Sequence, residues 1–304
     1  MKIALIGYGA MGKLIGTLAE GKGHEIAFIC RSPRVSKGDT FNVSEGETSN
    51  LSDTPTRGLG QRGRSGETVK SDVSPLLTRG LAQSGLVQSE LSQCDVAIDF
   101  SSADAVRRNV EACLLAGIPI VEGTTGWNSE RDEIDRIVRD VNGAMVFGAN
   151  FSIGVNLFYR VAEFTAELFA KFSEYEAFIE EQHHSRKKDS PSGTALKLEE
   201  IVSERLLSED ADRNVRVPDA DKSVRAPSDT DRNVRVPISA TRAGNIPGTH
   251  RVGFDGPADQ ILLEHTARSR EGFALGAIMA AEWIIGKKGF YEFADIMDEI
   301  LAEV

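Results

Sequence analysis

Cysteine is scarce in this chain: Cys30, Cys94 and Cys113 are the only three in 304 residues, and no Cys-x-x-Cys occurs. An odd, scattered set of thiols excludes a disulfide framework and a thiolate zinc site, and the expected compartment is a reducing cytoplasm. Long apolar runs are missing too; none reaches the ~18 residues of a membrane span. The apolar stretch in Met1–Gly7 is too short for a secretory signal and reads as a first strand. Basic residues are outnumbered, 35 Lys and Arg against 46 Asp and Glu, for a net charge of −11. That sign speaks against a general nucleic-acid binder. With 40% apolar and 27% charged residues, wholesale disorder and collagen-like repeats are also out. What remains is a globular chain of about two domains, long enough to bury a core without staples.

The first thirty residues are clearly punctuated. Ile3–Ile6 is a short β-type run, a glycine turn follows, and Met11, Leu14, Ile15 and Leu18 recur at helical spacing up to Gly21 and Gly23. His24–Ile29 restarts a strand, completing a βαβ unit of the kind that builds a parallel, right-handed sheet. The same alternation resumes at Asp95–Phe100. It continues through a helix near 103–115, a strand at Ile118–Val121, a helix near 129–139 and a strand at Ala144–Phe147. This pattern predicts an open, doubly wound α/β sheet. Later come a strand-like run at Ala177–Glu180, a helix-periodic stretch at Ala195–Leu206, a helix over Phe273–Gly286 and an amphipathic stretch at Tyr291–Leu301.

Two segments carry little information. Residues 36–90 hold 9 Ser, 6 Thr and 8 Gly with Phe41 as the only aromatic, and Thr-Arg-Gly-Leu occurs twice, at 56–59 and 78–81. So little apolar surface predicts a largely mobile loop. In residues 208–237, Asp-Arg-Asn-Val-Arg-Val-Pro occurs at 212–218 and again at 231–237, with a degraded copy at 222–227. A duplicated surface loop explains this better than a solenoid, since the units are short and charged.

Gly7-Tyr8-Gly9-Ala10-Met11-Gly12 is a GxGxxG placed directly between a strand and a helix. Gly7 permits the tight turn, Gly9 lets backbone approach a pyrophosphate, and Gly12 lets helix and strand pack closely. In this position the motif reads as a dinucleotide cradle rather than a plain turn. The next strand ends Phe28-Ile29-Cys30-Arg31-Ser32-Pro33-Arg34, without the acid that would grip a ribose 2′-hydroxyl. Arg31 and Arg34 suit a 2′-phosphate, which favours NADPH; two solvated arginines, with NADH as cofactor, stay open. Glu122-Gly123-Thr124-Thr125-Gly126 lies at a strand's carboxyl end, where α/β sheets bind ligands. There it is either a nicotinamide lining or an ordinary turn.

The densest chemistry runs from Glu181 to Ala195, Glu-Gln-His-His-Ser-Arg-Lys-Lys-Asp-Ser-Pro-Ser-Gly-Thr-Ala. Two histidines, two lysines and an arginine precede a Pro-Ser-Gly-Thr turn that opens a helix with free N–H groups. The set suits a substrate bearing carboxylates, with a histidine near enough to give a proton. The lysines beside that histidine disfavour its charged form, one way to tune a general acid. No His, Cys, Asp or Glu set has the spacing of a structural zinc site, so no metal is expected.

Glu181 to Ala195 resembles the hallmark of the 4-hydroxy-tetrahydrodipicolinate reductase (dihydrodipicolinate reductase) family, Glu-x-His-His-x-x-Lys-x-Asp-x-Pro-Ser-Gly-Thr-Ala, at every fixed position. Further matching pieces stand in order: Asp99-Phe100-Ser101, Gly123–Gly126, Ala149–Asn156, Arg242-Ala243-Gly244, Gly248-Thr249-His250 and Glu264–Arg270. The resemblance spans roughly 1–35, 94–206 and 238–290. It implies a nucleotide domain over 1–153 and 271–304 and an α+β substrate and oligomerisation domain over 154–270. The implied activity is reduction of the cyclic imine derived from 4-hydroxy-tetrahydrodipicolinate by hydride from NADPH or NADH. By position, His183 would be proton donor and acceptor. Lys187 would be proton donor and carboxylate partner, with His184, Gly193 and Thr194 holding substrate carboxylates. Gly7 to Gly12 would cradle the pyrophosphate, while Gly123, Thr124, Thr125, Gly148, Ala149, Asn150 and Phe151 would position the nicotinamide. A cytoplasmic homotetramer joined through the second domain's sheet is also implied, with neither nucleic acid nor membrane as partner.

The chain departs from that family in lacking an acid after the second strand and in carrying the 36–90 and 208–237 segments. Three rival readings exist. Another small NAD(P)-dependent dehydrogenase would not need the His-His-x-x-Lys string before Pro-Ser-Gly-Thr. A non-catalytic dinucleotide sensor would be expected to have lost His183 or Lys187. In the third reading the Arg-Val-Pro copies bind an acidic partner.

Overall fold

The protein is described here by a computed structural model covering residues 1–30, 72–73, 85–207 and 235–302. Seven strands form the first sheet. In chain order they are β1 (Lys2–Ile6), β2 (Glu25–Cys30), β3 (Asp72–Val73), β4 (Val96–Asp99), β5 (Ile120–Glu122), β6 (Ala144–Phe147) and β11 (Gly289–Glu292). Their spatial order is β11-β6-β5-β4-β1-β2-β3, and every pairing is parallel. Strand order reverses at β1, which is flanked by β2 and β4. That reversal leaves a crevice at the carboxyl ends of the strands, the place where such sheets hold ligands.

The strands are near-continuous apolar runs because both faces are covered. Side chains alternate along β1: Ile3 and Leu5 enter a cluster with Ile15 and Ala19 of α1 (Ala10–Gly21), Ala277 and Ala281 of α7 (Glu271–Ile284), and Phe293 and Ile296 of α8 (Phe293–Ala302). Ala4 and Ile6 enter the opposite cluster with Val110 of α3 (Val106–Leu115) and Ile134 of α4 (Arg131–Asp140). The small residues of α7 let it lie close: a Cβ on Gly276 would strike the carbonyl of Phe151.

The second sheet holds β7 (Glu176–His183), β8 (Ile238–Arg242), β9 (Thr249–Asp255) and β10 (Gln260–Thr266) in the order β10-β9-β7-β8. β9 runs antiparallel to both neighbours, while β7 and β8 pair in parallel. Ile179, Val252 and Phe254 pack from this sheet against Phe158, Ala162 and Ala166 of α5 (Ile153–Phe169) and Leu198 and Val202 of α6 (Gly193–Leu206). The result is an α/β nucleotide-type sheet, as the sequence pattern predicts, joined to an α+β unit, as the family resemblance implies.

Several expectations change. Of 36–90, expected to be largely loop, most lies outside the described residues, but Asp72–Val73 pairs with Ile29–Cys30 and α2 (Gly85–Leu91) forms, its end Leu91 fully buried in the core around α3. The final amphipathic stretch, read over Tyr291–Leu301, is helical from Phe293, while Gly289–Glu292 before it forms strand β11 and completes the edge beside β6. No periodicity had marked α5, whose outward face keeps Val161, Phe164 and Leu168 exposed and so looks apolar on all sides. Residues 208–234 of the repetitive segment lie outside the described residues. Its end is anchored on α6, where the Val236 amide donates to Ser203 Oγ at 3.2 Å.

Candidate active site

At the end of β1, Gly7 sits at φ +82°, and a Cβ there would strike the Phe100 carbonyl. A Cβ on Gly12 would strike the Gly7 carbonyl, whereas one on Gly9 would meet nothing within 4 Å. Gly9 caps α1 without a side-chain bond to the helix amides. The turn of Tyr8 and Gly9 into Ala10 and Met11 thus presents open space to uncapped N–H groups. That shape fits a dinucleotide pyrophosphate. Arg31 and Arg34 lie outside the described residues.

The tips of β4, β5 and β6 sit beside this cradle. The Gly123 amide donates to the Asp99 carbonyl at 2.9 Å, and the Gly148 amide to the Glu122 carbonyl at 3.2 Å. Thr124 is fixed by its carbonyl, which accepts from Trp127 Nε1 at 2.8 Å. Thr125 is exposed, and Ala149 leads into Asn150, whose Oδ1 accepts from the Ser152 amide at 2.8 Å. Phe151 packs edge-on against Phe100, with centroids 6.1 Å apart. The residues expected to meet a nicotinamide are therefore gathered on adjacent strand ends, next to the glycine turn.

In the second unit, β7 continues through His183, three residues beyond the expected strand, and sets Glu181 and His183 on one face. Glu181 Oε2 lies 2.7 Å from His183 Nδ1, and among the described residues neither atom has another hydrogen-bonding partner. The approach is a hydrogen bond when the proton sits on Nδ1, leaving His183 Nε2 for chemistry. Gly248 keeps that nitrogen clear, since a Cβ there would lie 3.2 Å from it.

Glu181 Oε1 accepts from Arg242 Nη2 at 2.7 Å and from the Ser192 amide at 2.9 Å. Burial opposes its ionisation, but the bonds from Arg242 and Ser192 outweigh this and hold the carboxyl below its usual range. For His183 the largest influence is burial, which lowers its pKa; Lys187 and Arg242 act the same way and Glu181 opposes them. The expected like-charge effect of lysine is present but secondary. Burial, reinforced by the His183 ring at 5.0 Å, takes His250 down to about 4.

The loop beyond β7 turns back as the Lys187 amide donates to the His184 carbonyl at 3.1 Å. Lys187 Nζ pairs with Asp189 Oδ2 at 2.8 Å. Ser192 caps α6: its Oγ accepts from the Ala195 amide at 3.2 Å and lies 3.0 Å from His250 Nε2. That leaves the amides of Gly193 and Thr194 at the open helix end, and a Cβ on Gly193 would meet nothing within 4 Å. The structure thus brings His183, His184, Lys187, Gly193 and Thr194 into one strand–loop–helix passage.

Glu181, Ser192, Arg242 and His250 complete this group; they stand in the strings singled out from the sequence, but without individual roles there. The Glu181/His183 spacing of two was a usable signal, because alternate strand residues share a face. Arg242 and His250 reach the site through register, pairing across from His183 and Glu181 respectively, which spacing cannot reveal. Donor atoms of Glu181, His183 and His250 gather within 4.8 Å, an arrangement a cation can use. Arg242 and the Ser192 amide hold Glu181 Oε1, and Ser192 Oγ lies 3.0 Å from His250 Nε2, so the histidines face the carboxylate's other oxygen, Oε2.

A family model described as dihydrodipicolinate reductase, C-terminus, matches residues 154–297, and its N-terminus counterpart matches 59–151. The chain belongs to the dihydrodipicolinate reductase family. Family members are oxidoreductases that use a nicotinamide cofactor. A 4-hydroxy-tetrahydrodipicolinate reductase of Christiangramia forsetii is 36% identical over 209 residues, 68% of this chain and 81% of the relative. One from Archaeoglobus fulgidus is 36% identical over 217 residues, 70% of this chain and 80% of the relative. In fold, the chain is similar to the dipicolinate-bound dihydrodipicolinate reductase of Paenisporosarcina sp. TG-14, with a TM-score of 0.65 at 19% identity, covering 97% of this chain and 99% of that one. Among the described residues, no helix is long and apolar enough to cross a membrane.

Proposed function

We propose that this chain is a 4-hydroxy-tetrahydrodipicolinate reductase, reducing the cyclic imine derived from that compound to tetrahydrodipicolinate with NADPH or NADH. The observation that carries the assignment is the buried Glu181–His183 pair, 2.7 Å apart, opening onto Lys187 and the free end of α6. When bound, the nicotinamide supplies the hydride. Gly7, Tyr8, Gly9, Ala10, Met11 and Gly12 hold its pyrophosphate. Gly123, Thr124, Thr125, Gly148, Ala149, Asn150 and Phe151 line the ring.

The chain's own residues bind a dicarboxylate and move a proton. Gly193 and Thr194 offer backbone amides to one carboxylate, strengthened by the positive end of α6. Lys187, with His184 beside it, supplies a cation to the substrate by exchanging its Asp189 partner. His183 Nε2 carries the proton that balances the hydride, with Glu181 fixing the ring's orientation. Positioning of this kind supplies a large share of the rate.

NADPH is the preferred cofactor in this reading, because Arg31 and Arg34 follow β2 in place of an acid. A cytoplasmic homotetramer rests on the family likeness, and the exposed Ile261 and Leu262 of the edge strand β10 support an interface on the second sheet. The test is loss of nicotinamide absorbance with enzymically generated substrate, run with each cofactor on wild type and Arg31→Ala. Substrate-dependent loss, with NADPH preference weakened in the variant, is expected. No loss with either cofactor would refute the activity, and equal discrimination in both proteins would remove Arg31 from cofactor choice.

A further inference from the structure

Two carboxyl groups lie side by side under the proposed nicotinamide site and take no part in the chemistry above. Asp99 ends β4 and Glu122 ends β5, the two are paired in register, and both are fully buried. Three of their four oxygens have donors. Asp99 Oδ1 accepts from the Ser101 amide at 2.8 Å, Asp99 Oδ2 from Asn109 Nδ2 at 2.6 Å, and Glu122 Oε1 from the Thr124 amide at 2.7 Å. Among the described residues Glu122 Oε2 has none, and the two carboxyls are within hydrogen-bonding reach of each other.

Two adjacent carboxylates in a low-dielectric interior oppose each other's ionisation, and a buried oxygen without a protein donor is satisfied by carrying a proton toward its neighbour. Among the described residues neither group has an ion pair with a basic side chain. The other titratable groups facing them are the thiols of Cys30 from β2 and Cys113 from α3, and burial keeps both neutral, Cys30 being pushed up to about 12. Burial raises Glu122 well above its ordinary range, with Asp99 adding to the effect.

We propose that Glu122 and Asp99 share one proton at neutral pH, with Glu122 Oε2 donating to Asp99, and that this neutral–anionic pair positions the two loops on which the nicotinamide rests. The pair bonds to both loops at once: Asp99 holds Ser101, Glu122 holds Thr124, and the Ser101 amide also donates to Thr124 Oγ1 at 3.1 Å. The proposal deepens the cofactor assignment and rests on it for the role of the loops, but not for the proton.

The experiment joins infrared spectroscopy of the full chain with NADPH and NADH titrations of wild type, Glu122→Gln and Glu122→Ala. A glutamine reproduces the protonated acid, its carbonyl accepting from Thr124 and its NH₂ donating to Asp99. The expected results are a protonated-carboxyl band in wild type at pH 7 that is absent from Glu122→Gln, and cofactor dissociation constants within about twofold of wild type for Gln. For Ala they should be about tenfold weaker, the loss of one buried hydrogen bond. Absence of the band in wild type, or its persistence in Glu122→Gln, would overturn the shared proton. Equal weakening by Gln and Ala, or none by Ala, would overturn the positioning role. If wild type bound neither cofactor, the cofactor assignment and the loop role would fall together, while the band would still decide the proton.

Discussion

Glu181 reaches His183 Nδ1 at 2.7 Å from one strand position over two, while Arg242 and Ser192 hold the carboxylate's other oxygen. The carboxylate therefore selects the histidine tautomer and raises the ring's affinity for a second proton. Glu181→Gln should lower kcat by about tenfold or more and leave cofactor binding unchanged. It should also move the histidine limb of the kcat–pH profile to lower pH, because Glu181 opposes the downward effect of burial. An unmoved limb would mean that Glu181 does not act through His183.

Among the described residues Lys187 is paired only with the exposed Asp189 carboxylate, a partner it can exchange for a substrate carboxylate. Lys187→Ala should weaken binding of dipicolinate, used as a stable dicarboxylate probe, by about tenfold or more. NADPH affinity should be unchanged. Loss of NADPH binding instead would place the lysine in the wrong site.

His250 is buried against Ser192 and held neutral down to about pH 4. Its unfolded value is about 6.5, so between those values the unfolded chain binds more protons and stability falls as pH is lowered. The contribution amounts to about 3 kcal/mol. Denaturant midpoints at pH 7 and pH 4.5 should diverge less in His250→Gln than in wild type. An identical pH dependence would show that this imidazole is not the group being charged.

Gly276 allows α7 to touch the carbonyl of Phe151, at the crossing between the two units. Gly276→Ala should destabilise the protein by about 1–3 kcal/mol through overpacking, read as a lower denaturant midpoint at unchanged slope. Full stability would show that the helix can shift without loss.

Where a residue's role depended on local spacing, the sequence made it legible. The strand–glycine–helix signal gave the parallel sheet, and the 181–195 string gave the basic loop and the helix start that follows it. What escaped depended on tertiary contact. Strand β11 is too short to stand out and exists because β6 offers an open edge. The helical character of α5 was hidden by apolar residues on its outward face. Arg242 and His250 join His183 only through strand register, and Asp99 and Glu122, twenty-three residues apart, come together only because β4 and β5 pair in register.

The most direct test of the account compares His183→Ala with wild type at saturating substrate, following nicotinamide absorbance. The structure predicts a kcat reduced about a hundredfold or more, with KM for the substrate changed far less. An unchanged kcat would contradict the proton-transfer role of His183 and with it the reading of the Glu181–His183 pair.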